Sequence, residues 1–256
     1  MFLRIWTIGS LGFLQLLRSR IYLNLLVSGL FLVAGALVLD RLSGGESARV
    51  LVDMGLGFIS LVSAVLATLT AVLSLRREIE TQEIHWLWAR PISHAELILG
   101  RFLTSLALVV ATQMILGSVL ALLAFVYDGD PLRVWLACIF ASFEGAILSA
   151  IALFFGVASS STLSTLFTTT LFILGRLSGI LGSLLVAGRF DEPLERLMRI
   201  VYWILPHLPA YDLSAWTQGK ADFTPIQALS GSVYGACYTA VLLSLAVQRM
   251  KSRDLV

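Results

Sequence analysis

Two ionisable residues, Glu144 and Arg176, lie inside long apolar runs, Val134–Ala158 and Leu163–Ala187. A charge at that depth in a bilayer is expensive, so it faces a partner charge or a water-filled cavity. At 1.5 Å per residue, Glu144 lies roughly 15 Å from the outer end of its run. Arg176 lies on the order of 20 Å from the inner end of the next run, which travels the opposite way. In a hydrocarbon core about 30 Å thick, their heights then differ by only a few Å. A structural ion pair is the first expectation. A substrate or proton site is the second, and Arg176 facing a polar outer cavity alone is the third.

A second cluster of chemistry is Arg76–Arg101, RREIETQEIHWLWARPISHAELILGR. It is the long charged interruption between two apolar runs, and it carries Trp86 and Trp88 among its charges. It is too short for a domain and has the make-up of a handle that another molecule grips. The alternative is an ordinary solvated connector with interfacial tryptophans.

Motifs for catalysis are missing. Gly219-Lys220 lacks the upstream glycine and the following Ser/Thr of a phosphate loop, and no HExxH occurs. GRLSG at Gly175–Gly179 has its serine one place off a nucleophile elbow. His85, His94 and His207 fall outside the apolar runs and are read as surface residues, with no metal site. Cys138 and Cys237 sit within apolar runs and read as small buried hydrophobes. The chain is expected to be no enzyme, so energy for uphill movement would come from elsewhere.

The elements that position these residues follow from composition. Of 256 residues, 58% are hydrophobic and only 13% charged, with mean hydropathy +0.89. Soluble globular chains average nearer 45–50% apolar and about 25% charged. The expected class is an all-α integral membrane protein forming one transmembrane domain over residues 1–256. The net charge of +2 is too small to suggest nucleic acid. Six runs meet the need of about 20 apolar residues per span: Ile21–Leu39, Val52–Leu75, Leu97–Tyr127, Val134–Ala158, Leu163–Ala187 and Ile226–Val247. Ten Lys/Arg flank one side and seven the other. That bias favours both termini in the cytoplasm.

Residues 1–20 read as an amphipathic interfacial helix, with Arg4, Thr7, Gln15 and Arg18 at helical spacing and Trp6 suited to headgroup depth. They do not read as a cleavable signal. Residues 188–225 read as an extracytoplasmic segment with a short amphipathic helix from Pro193, stopped by Pro206 and Pro209. Tyr202, Trp203, Tyr211 and Trp216 are taken as interface residues of this segment, which lies on or dips into the outer leaflet. Ala137, Ala141, Gly145 and Ser149 form a small-residue stripe, as do Gly175, Ser178, Gly179 and Gly182. Each lets another helix approach closely. The hydroxyls of SSSTLSTLFTTT, from Ser159, are expected to bond back to their own helix.

Within the handle, Glu78, Thr81, Glu83, Leu87, Arg90-Pro91-Ile92-Ser93, Glu96-Leu97 and Gly100-Arg101 resemble the loop between the second and third helices of type-2 ABC exporter permeases. Leu205-Pro206-His207-Leu208, Tyr211-Asp212-Leu213 and the basic tail at Ser252-Arg253-Asp254 are similar to segments of that family too. Here the basic residue after the glycine is Arg101, and Trp86-Leu87-Trp88 replaces smaller residues. The resemblance covers the whole six-helix layout.

It implies the membrane-spanning permease subunit of an ABC exporter in the cytoplasmic membrane. The implied partners are cytosolic ATPase subunits, which hold ATP and Mg, and a second permease subunit, identical or homologous. Residues 76–96 become a cytosolic coupling loop. A short helix of about Ile79–Trp88 would sit in a groove of the ATPase: Glu78, Glu80 and Glu83 offer carboxylates, Trp86 and Trp88 supply anchors, and Pro91, next to Arg90, stops the helix. Closure of the ATPase would tilt the adjoining helices as a rigid-body switch. Two other classes stay open: an ATP-independent secondary transporter using Glu144 and Arg176, which the missing internal repeat counts against, and a membrane anchor or assembly subunit.

Overall fold

The computed structural model describes residues 2–42, 47–80, 93–127, 129–187, 192–219 and 222–253. Among these, helices α1 (Phe2–Leu17), α2 (Arg20–Leu42), α3 (Ser47–Glu80), α4 (His94–Val126), α5 (Pro131–Ala158), α6 (Ser161–Val186), α7 (Glu192–Ile204), α8 (Ser214–Thr217) and α9 (Pro225–Arg253) follow in order. A 3-10 turn, Leu208–Tyr211, lies between α7 and α8. The described residues contain no strand. The helices α3, α4, α5, α6 and α9 are each long and apolar enough to cross a membrane. The bent pair Arg4–Leu17 and Arg20–Ala36, with 66° between its halves, qualifies only when taken together. The architecture is therefore an all-α bundle of five to six candidate spans, as expected of a multi-pass membrane protein.

Local sequence explains where the helices begin. Ser93 and Glu96 form a capping box at the head of α4: the Ser93 hydroxyl accepts from Glu96 N at 3.2 Å, and Ser93 N donates to the Glu96 carboxylate at 3.0 Å. Two of the orphan donors of a helix start are thereby satisfied. At α5, the Asp130 carboxylate accepts from Leu132 N and Arg133 N, with Pro131 in the first turn. Pro at that position has no N–H to waste.

Helix α5 is the hub. It packs on α3, α4, α6 and α9, and 72% of its span window is buried, against 17% for α6 and 28% for α9. Its stripe Ala137–Ser149 takes α4, as expected: a Cβ on Gly145 would lie 2.5 Å from Val109 of α4. The interface is tied by hydroxyls. Ser105 Oγ lies 2.9 Å from Thr70 Oγ1 on α3 and 2.9 Å from Ser149 Oγ on α5. These groups satisfy each other where no water reaches. At the head of α6, Thr165 and Thr168 donate to Ser161 O and Ser164 O, so those hydroxyls do bond back to their helix. Ser164 instead reaches Ala152 O of α5.

Helix α1 lies along the first turns of α4. Gly9 and Gly12 on one side and Gly100 on the other allow the approach, and Thr104 Oγ1 donates to Gly9 O at 3.1 Å. Trp6, Leu11 and Leu14 stay exposed, together with Arg4, Thr7, Gln15 and Arg18. The helix thus shows a protein-facing arc and an outward one of mixed character.

The α6 stripe takes a helix, as expected, at only one of its ends. Gly175 faces Leu208 and Pro206 O, Gly179 faces Pro209, and Gly182 faces Tyr202. Gly175 and Gly179 take the connector after α7, while Gly182 takes Tyr202 of α7 itself. Pro206 and Pro209 cannot continue a helix, and the notched face of α6 accepts their chain instead. The connector runs inward, with Leu205, Leu208, Tyr211 and Leu213 all buried. Tyr211 is therefore a core residue and not an interface one. It packs on Phe140 and Phe143 of α5, donates to Gly231 O of α9 at 2.9 Å, and occupies the space that a side chain on Gly235 would need. Phe140 stands about 14 Å along α5 from Pro131. Irregular backbone at such depth is tolerated where protein surrounds it. Of the other aromatic residues in the segment, Trp203 is exposed, while Tyr202 and Trp216 are half-buried.

Candidate functional site

The connector brings a third charge to the two that the sequence singled out. Glu144 comes from the middle of α5 and Arg176 from the middle of α6. Asp212 follows the 3-10 turn, and Ser60 comes from α3. Arg176 Nε donates to Glu144 Oε1 at 3.1 Å and Nη2 to Oε2 at 3.0 Å, a side-on two-bond fork. Nη2 also donates to Ser60 Oγ, which in turn donates to Glu144 Oε2 at 3.1 Å. Nη1 meets Asp212 Oδ2 at 2.8 Å.

The electrostatics are asymmetric. The Glu144 side chain is only 4% exposed, that of Arg176 26% and that of Asp212 39%. The inner end is closed by α3 and α5, and the outer end is open. Burying an ion pair gains stability only if the remaining lone pairs and protons are satisfied as well. Ser60 does this for the Glu144 carboxylate. Asp212 is fixed locally too, since its Oδ1 accepts from Ser214 N at 3.1 Å. The cluster holds one cation between two carboxylates on separate elements. Chemically it can clamp the connector to the bundle, or exchange one carboxylate for another anion.

Asp212 and Ser60 were not foreseen as partners. Asp212 belongs to the segment Tyr211-Asp212-Leu213, and nothing in that segment encodes depth. Ser60 is one of many hydroxyls on α3, and spacing does not separate it from Ser63 or Thr70.

His207 lies on the connector with its Nδ1 3.2 Å from Ser178 Oγ and its backbone N–H donating to Tyr234 Oη at 3.1 Å. Burial holds its imidazole below the ordinary range. An open cleft of about 570 Å³ is lined by Glu195, Arg196, Arg199, Ile200 and Trp203 on α7, apart from the charge cluster. Cys138 is buried and Cys237 exposed, both as free thiols. The described residues include no group of three or more His, Cys, Asp or Glu that could hold a metal ion.

The expected coupling residues are only partly reached. Glu78 and Glu80 belong to the last turn of α3. Glu83, Trp86, Trp88, Arg90 and Pro91 lie outside the described residues. No protein-family model and no curated protein matches the chain.

Proposed function

We propose that the chain is the membrane-spanning permease subunit of an ABC exporter, moving its substrate across the cytoplasmic membrane with ATP hydrolysed on a separate subunit. The observation that carries this reading is the segment Arg76–Arg101. It is a charged, tryptophan-bearing connection between two helices apolar enough to span, α3 and α4. Its Ser93 and Glu96 cap α4 rigidly, so a push on the connection reaches a long helix without fraying it. In this reading six spans cross the membrane and both termini are cytoplasmic. Helix α1 lies at the cytoplasmic interface against α4, and α7 lies on the opposite side. Two permease subunits, identical or homologous, stand above two ATPase subunits.

The test is gentle detergent purification through a C-terminal tag. A stoichiometric cytosolic ATPase, lost in Glu83→Lys/Trp86→Ala, supports the reading. A clean chain without ATPase in several detergents contradicts it. The cluster of Glu144, Arg176 and Asp212 favours, as a second reading, an ATP-independent secondary transporter, for which transport in vesicles would run without ATP.

A further inference from the structure

We infer that the outer edge of the Arg176 guanidinium is a recognition site for the anionic headgroup of an amphiphile, a phosphate monoester or a carboxylate, and that Asp212 occupies it as an internal competitor. Two edges of one side chain carry the inference. The Nε/Nη2 edge is locked by Glu144 and Ser60, both on helices of the packed bundle. Among the described residues the Nη1 edge is held by Asp212 alone, from a non-helical connector. The Asp212 side chain can turn away from Arg176 without moving a spanning helix, giving up its bond from Ser214 N as it does so. An arginine fork prefers planar or tetrahedral oxyanions, and Asp212 is one supplied by the chain itself.

The vacated donor fixes the sign of the ligand. With Asp212 away, Glu144 still holds the Nε/Nη2 edge, and the Nη1 donor is satisfied again by an arriving anionic oxygen. A cationic headgroup would meet the guanidinium first, while both carboxylates are already engaged by donors. The surroundings fix the rest of the ligand. Ile173 and Ile180, at i−3 and i+4 from Arg176, share its side of α6. They are 53% and 59% exposed, and Leu177 beside them is 48% exposed. Phe172 stands with its ring centroid 6.0 Å from the guanidinium carbon. An open charged edge on an apolar strip suits a molecule with an anionic head and a hydrocarbon tail.

As a statement about cargo, the inference rests on the transporter reading; as a statement about binding, it stands apart from it. The full chain, purified in an uncharged maltoside detergent, is titrated with dodecyl phosphate while thermal unfolding is followed. Wild type should show saturable stabilisation. Asp212→Asn should bind at least about fivefold tighter, because removing an internal competitor raises the competent fraction. Asp212→Glu should stay near wild type. Asp212→Asn/Arg176→Gln should show no saturable shift, and Asp212→Asn/Arg176→Lys should keep weakened binding.

If the variants fail to fold, wild type alone decides, since dodecyl phosphate must stabilise it and dodecyltrimethylammonium must not. Inorganic phosphate separates the sources: an equal shift with it identifies a free anion and overturns the amphiphile. Equal affinity in wild type, Asp212→Asn and the Arg176→Gln double variant overturns the site. No ATPase enters this experiment. A chain that co-purifies with an ATPase but ignores dodecyl phosphate loses only this inference, and one that binds it without an ATPase loses only the exporter reading.

Discussion

Arg176 on α6 takes the buried Glu144 of α5 side-on, with both of its bonds near 3 Å. Removing one member of such a pair leaves an uncompensated charge, at a cost of roughly 3–5 kcal/mol. Arg176→Ala, which strands the buried Glu144 carboxylate, should therefore lower the unfolding temperature of the detergent-solubilised chain far more than Asp212→Asn, because Asp212 is partly solvated. A simple charge swap, Glu144→Arg/Arg176→Glu, should recover little, since the new glutamate would face Asp212. Adding Asp212→Asn to the swap should recover more. If the swap alone restores wild-type unfolding, the three-residue cluster is wrong.

Gly235 of α9 faces Tyr211 closely: an added Cβ would lie 2.5 Å from the phenol oxygen. Gly235→Ala should push the connector out of its seat and destabilise by about 1–3 kcal/mol, the usual range for overpacking. Tyr211→Phe removes the clashing atom, so the double variant should be less destabilised than the sum of the singles. Additive effects in a double-mutant cycle would contradict the deep placement of Tyr211.

Ser105 bridges three helices, yet Thr70 and Ser149 each also donate to their own helix, to Leu66 O at 2.7 Å and Gly145 O at 2.8 Å. Ser105→Ala therefore leaves no orphan donor and should cost no more than about 1 kcal/mol. Ser105→Leu should cost several times as much, because the seam has no room. Chemical or thermal unfolding of both variants checks the order.

For His207, the folded pKa lies below the ordinary value of 6.5 because of burial. As pH falls through 6.5, the unfolded chain takes up the proton first. Stability should then decline toward acid, from that value down to the folded pKa. The groups facing the imidazole are Ser178 and Tyr202, with Tyr234 on its backbone N–H. His207→Asn should flatten this part of the profile. An unfolding temperature equally flat in wild type between pH 7 and 5 would count against a buried neutral imidazole.

Much of the helical frame was legible because apolar runs are long and their breaks are sharp: Asp130-Pro131 starts α5, and the serines before α6 interrupt two runs. The meeting of Glu144 and Arg176 was legible from height alone, since antiparallel runs put both at mid-depth. The connector was not. Proline and aromatic residues from Leu205 to Leu213 are equally compatible with a surface segment. A glycine stripe such as Gly175 and Gly179 accepts a helix or an extended chain alike. Depth came from tertiary fit, with Leu208 on Gly175 and Tyr211 against Gly235, and the depth of Asp212 followed from it. Ser60 was hidden by the abundance of hydroxyls on α3.

The most direct test of the permease reading is site-specific photocrosslinking in membranes, with a photoreactive residue placed at position 86 or at position 203. The reading predicts an adduct from position 86 to a cytosolic ATPase, changed in yield when ATP is added, and no such adduct from position 203 on the far side. Absence of any ATPase adduct from position 86, or an equal adduct from position 203, would contradict it.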